Sequence, residues 1–192
     1  MITKERALEI LKGNIENENL RKHHYAVAAA MRALHNYFEE KGETCTEPVE
    51  AWEIVGLLHD ADYEETKNDP ENHTLVLAEQ LEEEGVSEKI IRAIKAHNCE
   101  YTHTEPQSKL EWSLIACDDL TGLVVAVALV HPTKLEGVSV ESVMKKFDSS
   151  SFAAGADRER IVLCEEKLGI PLEDFVGIVL SAMKQDRDQL GL

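Results

Sequence analysis

Apolar residues recur at spacings of three and four along most of the chain, which is the pattern of helices that bury one face. The clearest stripes cover residues 20–38, 90–94 and 172–183. Residues 124–130 are rich in β-branched side chains and would also suit a buried strand, but they follow a helical stripe without a break. We therefore predict a helix there and an all-α fold overall.

Turn signals separate these stripes and leave short connections between the predicted helices. The signals are Gly13-Asn14, Lys41-Gly42, Asn68-Asp69-Pro70, Gly85-Val86-Ser87, Glu105-Pro106, His131-Pro132, Ser149-Ser150-Ser151 and Gly169-Ile170-Pro171. Ser87 is a typical helix N-cap residue, and Pro171 suits the first residue of a helix. Since no repeat or long linker appears, residues 1–192 are predicted to form a single compact multi-helix domain.

Composition and charge restrict the class of protein. Hydrophobic residues make up 43% of the 192 residues, too many for a disordered chain. The excess of 37 acidic over 20 basic residues gives a formal net charge of −17, which repels long nucleic acids and anionic membrane surfaces. The longest apolar run, residues 123–130, is too short to cross a bilayer, and the first residues are charged, so we expect a cytoplasmic protein. No feature decides the oligomeric state, and a homodimer stays open.

The cysteines are scattered along the chain and form no C-x-x-C pair. They are Cys45, Cys99, Cys117 and Cys164. In a chain without a secretory signal, such thiols are typically reduced, half-buried core cysteines. We therefore expect reduced core cysteines.

Several histidines fall on the apolar stripes, where the imidazole points toward the core. His23, His73 and His97 each lie three or four residues from an apolar position of such a stripe. Asp118 lies four residues after Leu114, which turns a carboxylate inward as well. A single histidine of this kind is more often a hydrogen-bonded core residue than a ligand. Burying these polar groups separately, however, would cost free energy at each position, and one metal site shared by all of them would offset that cost.

A histidine and a carboxylate, His59 and Asp60, directly follow the apolar pair Leu57-Leu58. Adjacent residues on a helix point about 100° apart, yet both can reach an ion just beyond the helix end. Imidazole combined with carboxylate suits Fe, Mn or Zn better than Mg or Ca. The pattern therefore predicts one or two divalent transition-metal ions as cofactor.

The chain resembles the HD superfamily of metal-dependent phosphohydrolases, whose signature is a histidine, a His-Asp pair and a distant aspartate. The matching segments are Lys22-His23-His24-Tyr25-Ala26-Val27, Gly56-Leu57-Leu58-His59-Asp60-Ala61-Asp62-Tyr63 and Ala116-Cys117-Asp118-Asp119-Leu120-Thr121-Gly122. The resemblance covers nearly the whole chain and implies a helical HD-type bundle. The apolar residue four positions after the first histidine favours His23 over His24 as the ligand.

The resemblance also implies the remaining ligands. Family members with one metal use the counterparts of His23, His59, Asp60 and Asp118. Members with two metals add two histidines within the interval that here contains His73 and His97, and the counterpart of Asp60 then bridges the ions.

Two ions held close together bind the attacking and leaving oxygens of a displacement and supply hydroxide at neutral pH. The expected function is therefore hydrolysis of a small phosphomonoester or phosphodiester, such as a nucleotide. Asp62 is a candidate catalytic residue, either as a group that orients the site or as a general acid, and a helix-end cap or surface acid is the alternative interpretation. A di-iron oxygenase, which the family also contains, and a metal-binding regulatory module without turnover are the alternatives.

A phosphorylated substrate would also need cations from the protein. Basic residues are about as frequent as acidic ones in residues 134–160, whereas acidic residues dominate the rest of the chain taken together. The candidate phosphate contacts are Lys134, Lys145 and Arg158, and Arg158 is favoured because small residues flank it and permit close approach. Solvated helix faces are the alternative interpretation of this basic stretch.

The other histidines carry weaker expectations. His24 lies at the edge of its stripe and suits a supporting group behind a ligand. His35 shares the buried side of the same helix but lacks neighbours of the signature kind. His103 and His131 lie next to predicted loops and are expected at the surface.

Overall fold

A computed structural model describes residues 2–192, and within them the chain forms helices and no strand, so the all-α prediction is confirmed. The helices are α1 (Lys4–Asn14), α2 (Glu18–Glu40), α3 (Val49–Leu58), α4 (Tyr63–Thr66), α5 (Leu75–Glu83), α6 (Glu88–His97), α7 (Cys99–Thr102), α8 (Lys109–Val130), α9 (Lys134–Gly137), α10 (Val140–Phe147), α11 (Arg158–Leu168), α12 (Leu172–Gln185) and α13 (Arg187–Leu190).

The helix boundaries follow the turn signals closely. Ser87 caps α6 as predicted, because its hydroxyl accepts a hydrogen bond from the Lys89 amide. Pro171 lies one position outside the predicted place: it is the N-cap of α12 and not its first residue. Its extended ψ of 141° and its carbonyl, which accepts from the Phe175 amide, are typical of a cap.

The buried apolar side chains form one continuous core, with α2 and α8 through its centre. Small residues bring α3 close to α2: Gly56 of α3 lies directly against the backbone of Ala28. The α8 helix is buried over much of its circumference, which explains why its apolar residues show no clear stripe. This arrangement places Asp118, near the middle of α8, inside the bundle beside the C-terminal end of α3.

Within the described residues, one helix, α8, is long and apolar enough to cross a membrane, by length and composition alone. The sequence expectation considered only residues 123–130 and underestimated this helix. In the structure, 61% of its most apolar window is buried against the rest of the chain. Burial in a core explains that composition without a bilayer.

The cysteines are all free thiols. Cys45 and Cys99 are half-buried, in accord with the expectation, whereas Cys117 and Cys164 are more deeply buried in the core. Cys45 lies in the loop between α2 and α3.

Candidate metal centre

The residues that the sequence marks as metal ligands come from five separate places in the chain and meet at one point. They are His23 on α2, His59 and Asp60 immediately after α3, His73 before α5, His97 at the end of α6 and Asp118 on α8. Three overlapping groups of three have ligand atoms that all lie within 4.8 Å of one another. Asp60 belongs to two of them, once with His23 and His59 and once with His73 and His97.

The distances between these atoms are those of ligands around shared ions. Asp118 Oδ1 lies 2.9 Å from His23 Nε2 and 3.4 Å from His59 Nε2. Asp60 Oδ1 lies 3.1 Å from His73 Nε2 and 3.6 Å from His97 Nδ1. Ligands about 2.1 Å from an ion are about 3.0 Å apart at right angles and about 3.4 Å apart in a tetrahedron. The side chains therefore fit a transition metal with little movement.

Unpaired polar atoms at the centre support the same fit. His59 Nε2, Asp60 Oδ1 and His97 Nδ1 are all buried and make no hydrogen bond of acceptable geometry within the described chain. Buried polar atoms normally have partners, because leaving one unpaired costs about 1–3 kcal/mol. These atoms converge on a common space instead of pairing with one another, as ligand atoms do.

Two of the imidazoles are oriented by hydrogen bonds on the side away from the cluster. His59 Nδ1 donates to the Gly56 carbonyl at 2.9 Å, so its Nε2 faces the carboxylates. His23 Nδ1 lies 3.4 Å from the Thr121 hydroxyl, which itself donates to the Asp118 carbonyl at 2.8 Å. Such contacts fix the ring and its tautomer, as in established metal sites.

Asp62 orients a third imidazole. Its Oδ1 accepts from His73 Nδ1 at 2.9 Å, and its Oδ2 accepts from the Leu77 amide at 3.1 Å. The carboxylate is almost fully buried, at 1% exposure, and does not line the cavity described below. Of the two roles considered for Asp62, this geometry favours orientation of His73 and speaks against a general acid.

The electrostatics of the cluster favour a cation. Burial opposes protonation of His59 and His73, but the neighbouring carboxylates outweigh it and raise the pKa of His59 to about 9 and that of His73 to about 10. Burial likewise opposes ionisation of Asp60, yet the histidines hold its pKa well below the usual range. Positive charge thus stabilises the ionised carboxylates. Protons on the histidines supply this charge in the metal-free residues, and a bound metal ion can replace those protons.

His24 lies beside the cluster and is not part of any of the ligand groups. Its ring is 4.9 Å from that of His59, and its exposed fraction is only 1%. Burial, followed by the nearby His59, holds the pKa of His24 well below its usual value. The ring is therefore a neutral support for His59, and His23 is the residue that faces Asp118.

A cavity of about 450 Å³ opens onto the cluster. Its floor includes His23, Asp60 and Asp118. The other lining residues are Leu20, His24, Tyr63, Asp119, Gly122, Ala153, Gly155 and Ala156. Part of the cluster is thus accessible to a small molecule, while the walls are mostly apolar.

None of the basic residues selected from the sequence lines this cavity. Lys145 is exposed on α10, and the Lys134 ammonium lies 3.4 Å from the Gly191 carbonyl, beside the C-terminal residues. The guanidinium of Arg158 donates to the carbonyls of Phe152, Ala153 and Ala156. Lys134, Lys145 and Arg158 thus lie outside the cavity, so the structure gives no support to direct phosphate contacts by these three residues.

Arg158 organises a wall of the cavity instead. The carbonyls that it holds belong to residues 152–156, the loop that supplies Ala153, Gly155 and Ala156 to the lining. The amide of Asp157 ties the end of this loop to Asp119 at 2.9 Å. The arginine that approaches the cluster is Arg160, with Nη2 3.3 Å from the His97 carbonyl and Nε 3.4 Å from Asp119.

Sequence reasoning missed Asp119 as part of the cavity, whereas the small residues beside Arg158 were expected to permit close approach of a ligand and do line the cavity. Asp119 gave a weak signal, because it directly follows Asp118 and burying both carboxylates needs compensating donors. For the loop, the sequence shows only that several residues are small, and nothing in their order specifies which wall of the cavity they form. Thr121, two residues further along α8, offered no signal beyond its place in the matched segment.

No protein-family model, curated protein or solved structure matches this chain. The class of protein is accordingly defined by fold and site alone: a helical protein with a buried cluster of four histidines and two aspartates beneath a small cavity.

Proposed function

We propose that this chain is a metal-dependent phosphohydrolase of the HD superfamily that acts on a small phosphoester. The observation that carries the proposal is the pair of His/carboxylate groups that share Asp60 at the floor of the cavity. Both the order of the residues along the sequence and their spatial grouping agree with the HD pattern described above. The fold is helical, as that superfamily requires.

The chain offers two overlapping coordination positions. His23, His59, Asp60 and Asp118 would hold one ion, and Asp60, His73 and His97 would hold the second. When bound, such ions supply Lewis acidity and hydroxide at neutral pH. The protein residues fix the geometry: Thr121, Gly56 and Asp62 each anchor one imidazole from behind.

The cavity restricts the substrate to a small molecule. At about 450 Å³ it accommodates a ligand of nucleotide size, and the acidic surface disfavours long polyanions. Its lining residues contain three carboxylates and neither lysine nor arginine. A phosphate would therefore depend on bound metal for its countercharge, so we expect activity to require metal strictly.

The function is tested with a panel of small phosphomonoesters and phosphodiesters, offered to protein loaded in turn with iron, manganese and zinc. Release of phosphate or of the alcohol is measured against a His59→Ala variant prepared in the same way. Hydrolysis above that background supports a phosphohydrolase. Equal rates for wild type and variant across the panel would leave the phosphohydrolase without support and favour the third candidate, a metal-binding module.

A di-iron oxygenase is the second candidate, and the lack of basic side chains among the lining residues favours it. An oxygenase whose substrate carries no phosphate does not need a basic side chain of the protein to bind one. Oxygen uptake by the iron-loaded protein with small organic cosubstrates separates the two activities. Uptake that depends on iron and on the cosubstrate, without phosphoester hydrolysis, selects the oxygenase.

Metal content tests whether the centre holds one ion or two. We expect about two Fe, Mn or Zn ions per wild-type chain, purified anaerobically without chelator, and about one in His73→Ala, since that histidine serves only the second position. Elemental analysis gives both values. One ion or fewer, unchanged by the substitution, would instead indicate a mononuclear site and would remove the bridging role of Asp60 and the oxygenase alternative.

Gly155 is expected to set the size of the substrate. A side chain there meets no atom within 4 Å and extends into open space at the cavity wall. For Gly155→Val we expect kcat/KM for a bulky phosphoester to fall about tenfold more than that for a small one. Steady-state assays with both substrates check this, with Gly155→Ala as the graded control. An equal loss on both substrates would assign the residue to the fold and not to specificity.

A further inference from the structure

A second group of metal-ligand side chains lies further along α2, away from the centre described above. His35 and Glu39 are four residues apart on α2 and share one face of that helix. Cys45 lies in the loop that leads to α3. His35 follows His23 by twelve residues, which is about 18 Å along the helix axis. The group is therefore separate from the proposed phosphohydrolase site.

The donor atoms of this group are already close together. One ring nitrogen of His35, one carboxylate oxygen of Glu39 and the sulfur of Cys45 all lie within 4.8 Å of one another. Ligand atoms around tetrahedral zinc are about 3.3–3.6 Å apart, given bond lengths of about 2.0–2.3 Å. Small side-chain rotations are sufficient to close that difference.

His35 gives an independent indication of a ligand. The residue is buried, with an exposed fraction of 9%, and its Nδ1 has no hydrogen-bond partner within the described chain. The ring is held edge-on against Trp52, with centroids 5.5 Å apart and an interplanar angle of 82°. A buried imidazole with an unpaired nitrogen costs free energy that a bound cation would offset.

The loop is folded back so that its thiol faces the helix. The Cys45 amide donates to Glu39 Oε1 at 2.9 Å, and the Cys45 thiol donates to the His35 carbonyl at 3.9 Å. Lys109, the neighbouring cation, pairs with Glu43, and within the described chain no basic side chain pairs with Glu39. The exposed Glu39 carboxylate thus makes no ion pair within the described chain and lies beside a thiol and an imidazole.

We propose that His35, Glu39 and Cys45 form a second metal site, selective for zinc-like ions. Thiolate, imidazole and carboxylate together suit zinc and exclude magnesium and calcium, which prefer oxygen ligands. Three protein ligands leave a fourth position for water. An ion bound here fastens the loop after α2 to that helix, so the site stabilises the region where α2 turns toward α3.

Cobalt(II) tests the proposal because it replaces zinc and reports a thiolate ligand by charge-transfer absorption in the near ultraviolet. The cluster of His23, His59, Asp60, His73, His97 and Asp118, called the main centre below, contains only histidine and aspartate. A thiolate band therefore reports the second site alone. We expect the band in wild-type protein stripped of metal and titrated with cobalt, and its loss in Cys45→Ser. The visible absorption of cobalt at the main centre should remain in that variant.

Cys99→Ser is the matched control, since Cys99 is also half-buried and belongs to none of the ligand groups. It should keep the band. Glu39→Gln, at an exposed position, should shift the titration to higher cobalt concentrations without affecting the fold. Absence of the band in wild type, its persistence in Cys45→Ser, or its loss in Cys99→Ser would each overturn the site. Phosphoester hydrolysis is unaffected by any of these outcomes, so the two proposals fail separately.

Discussion

Asp60→Asn is expected to lower kcat by at least about a thousandfold, which corresponds to about 4 kcal/mol of lost transition-state stabilisation. Asp60 is the residue assigned to both proposed coordination positions, since it groups with His23 and His59 on one side and with His73 and His97 on the other. The amide has nearly the same shape as the carboxylate but removes its charge and one acceptor. Steady-state hydrolysis and metal content, measured on the same preparation, check the prediction.

Asp62→Asn provides the matched comparison, because it makes the same chemical change two residues away. Asp62 accepts hydrogen bonds on both oxygens, from His73 and from the Leu77 amide, and an amide can accept on only one of them. The His73 ring would be less firmly oriented, and residues that support metal ligands typically contribute about 10- to 100-fold. We therefore expect a clearly smaller loss than for Asp60→Asn.

The relative size of the two losses of activity distinguishes the roles assigned to Asp60 and Asp62. If Asp60→Asn retained more than about a tenth of wild-type activity while folding normally, Asp60 would not bridge the reacting centre. A larger loss in Asp62→Asn than in Asp60→Asn would reverse the roles assigned to the two carboxylates. Circular dichroism and thermal unfolding of both variants separate such losses from unfolding.

Much of the fold could be predicted from the sequence because its helices are amphipathic and its breaks are marked. The limit is visible in α8, which is apolar on nearly every side and gives no stripe to interpret. Such a helix is recognised only by its length and by what surrounds it. For the same reason, the sequence did not reveal that α8 is long and apolar enough to cross a membrane, although the helix lies in the core of the structure.

The candidate ligands were found from sequence because each violates the rule that polar groups avoid apolar faces. His97 and Asp118 are examples: His97 follows the apolar stripe of α6, Asp118 lies four residues after Leu114, and both side chains turn inward. Their supporting contacts were not foreseeable in the same way, since the Gly56 carbonyl and the Thr121 hydroxyl are ordinary groups until the helices pack. The sequence left two roles open for Asp62, and its contacts with His73 and the Leu77 amide favour the orienting one.

The basic residues show where sequence reasoning fails. Arg158 was favoured as a phosphate contact because small residues surround it, and those small residues do line the cavity. Their carbonyls, however, occupy its guanidinium. Local sequence indicates which residues are small and which are charged, but the direction of a long side chain depends on acceptors that only the folded loop presents.

Gly56 links the fold to the site, and its substitution is the second change with a large expected effect. A Cβ at Gly56 would lie 2.6 Å from Ala28 Cα, 2.7 Å from Ala28 N and 2.9 Å from Val27 C, all backbone atoms that no rotamer change can move. The α2 and α3 helices, which form the most extensive helix pair of the structure, would have to separate. Overpacking of a core typically costs 1–3 kcal/mol and more when backbone must shift.

For Gly56→Ala we therefore expect a loss of about 3 kcal/mol or more in the free energy of unfolding. In a chain of this length that lowers the midpoint of thermal unfolding by about 6–12 °C. Gly13→Ala is the control, since Gly13 is also helical but its Cβ meets nothing within 4 Å. Alanine there should leave the midpoint unchanged or raise it slightly, because alanine favours helix over glycine.

The same substitution should weaken metal binding at the main centre. The Gly56 carbonyl accepts from His59 Nδ1, so a displaced α3 carries the His59 ring away from Asp118, from which its Nε2 is now 3.4 Å distant. Thermal unfolding and metal content of Gly56→Ala are thus expected to fall together, whereas Gly13→Ala keeps both. A Gly56→Ala chain that unfolds within about 2 °C of wild type would show that α2 and α3 do not pack at this glycine as closely as described.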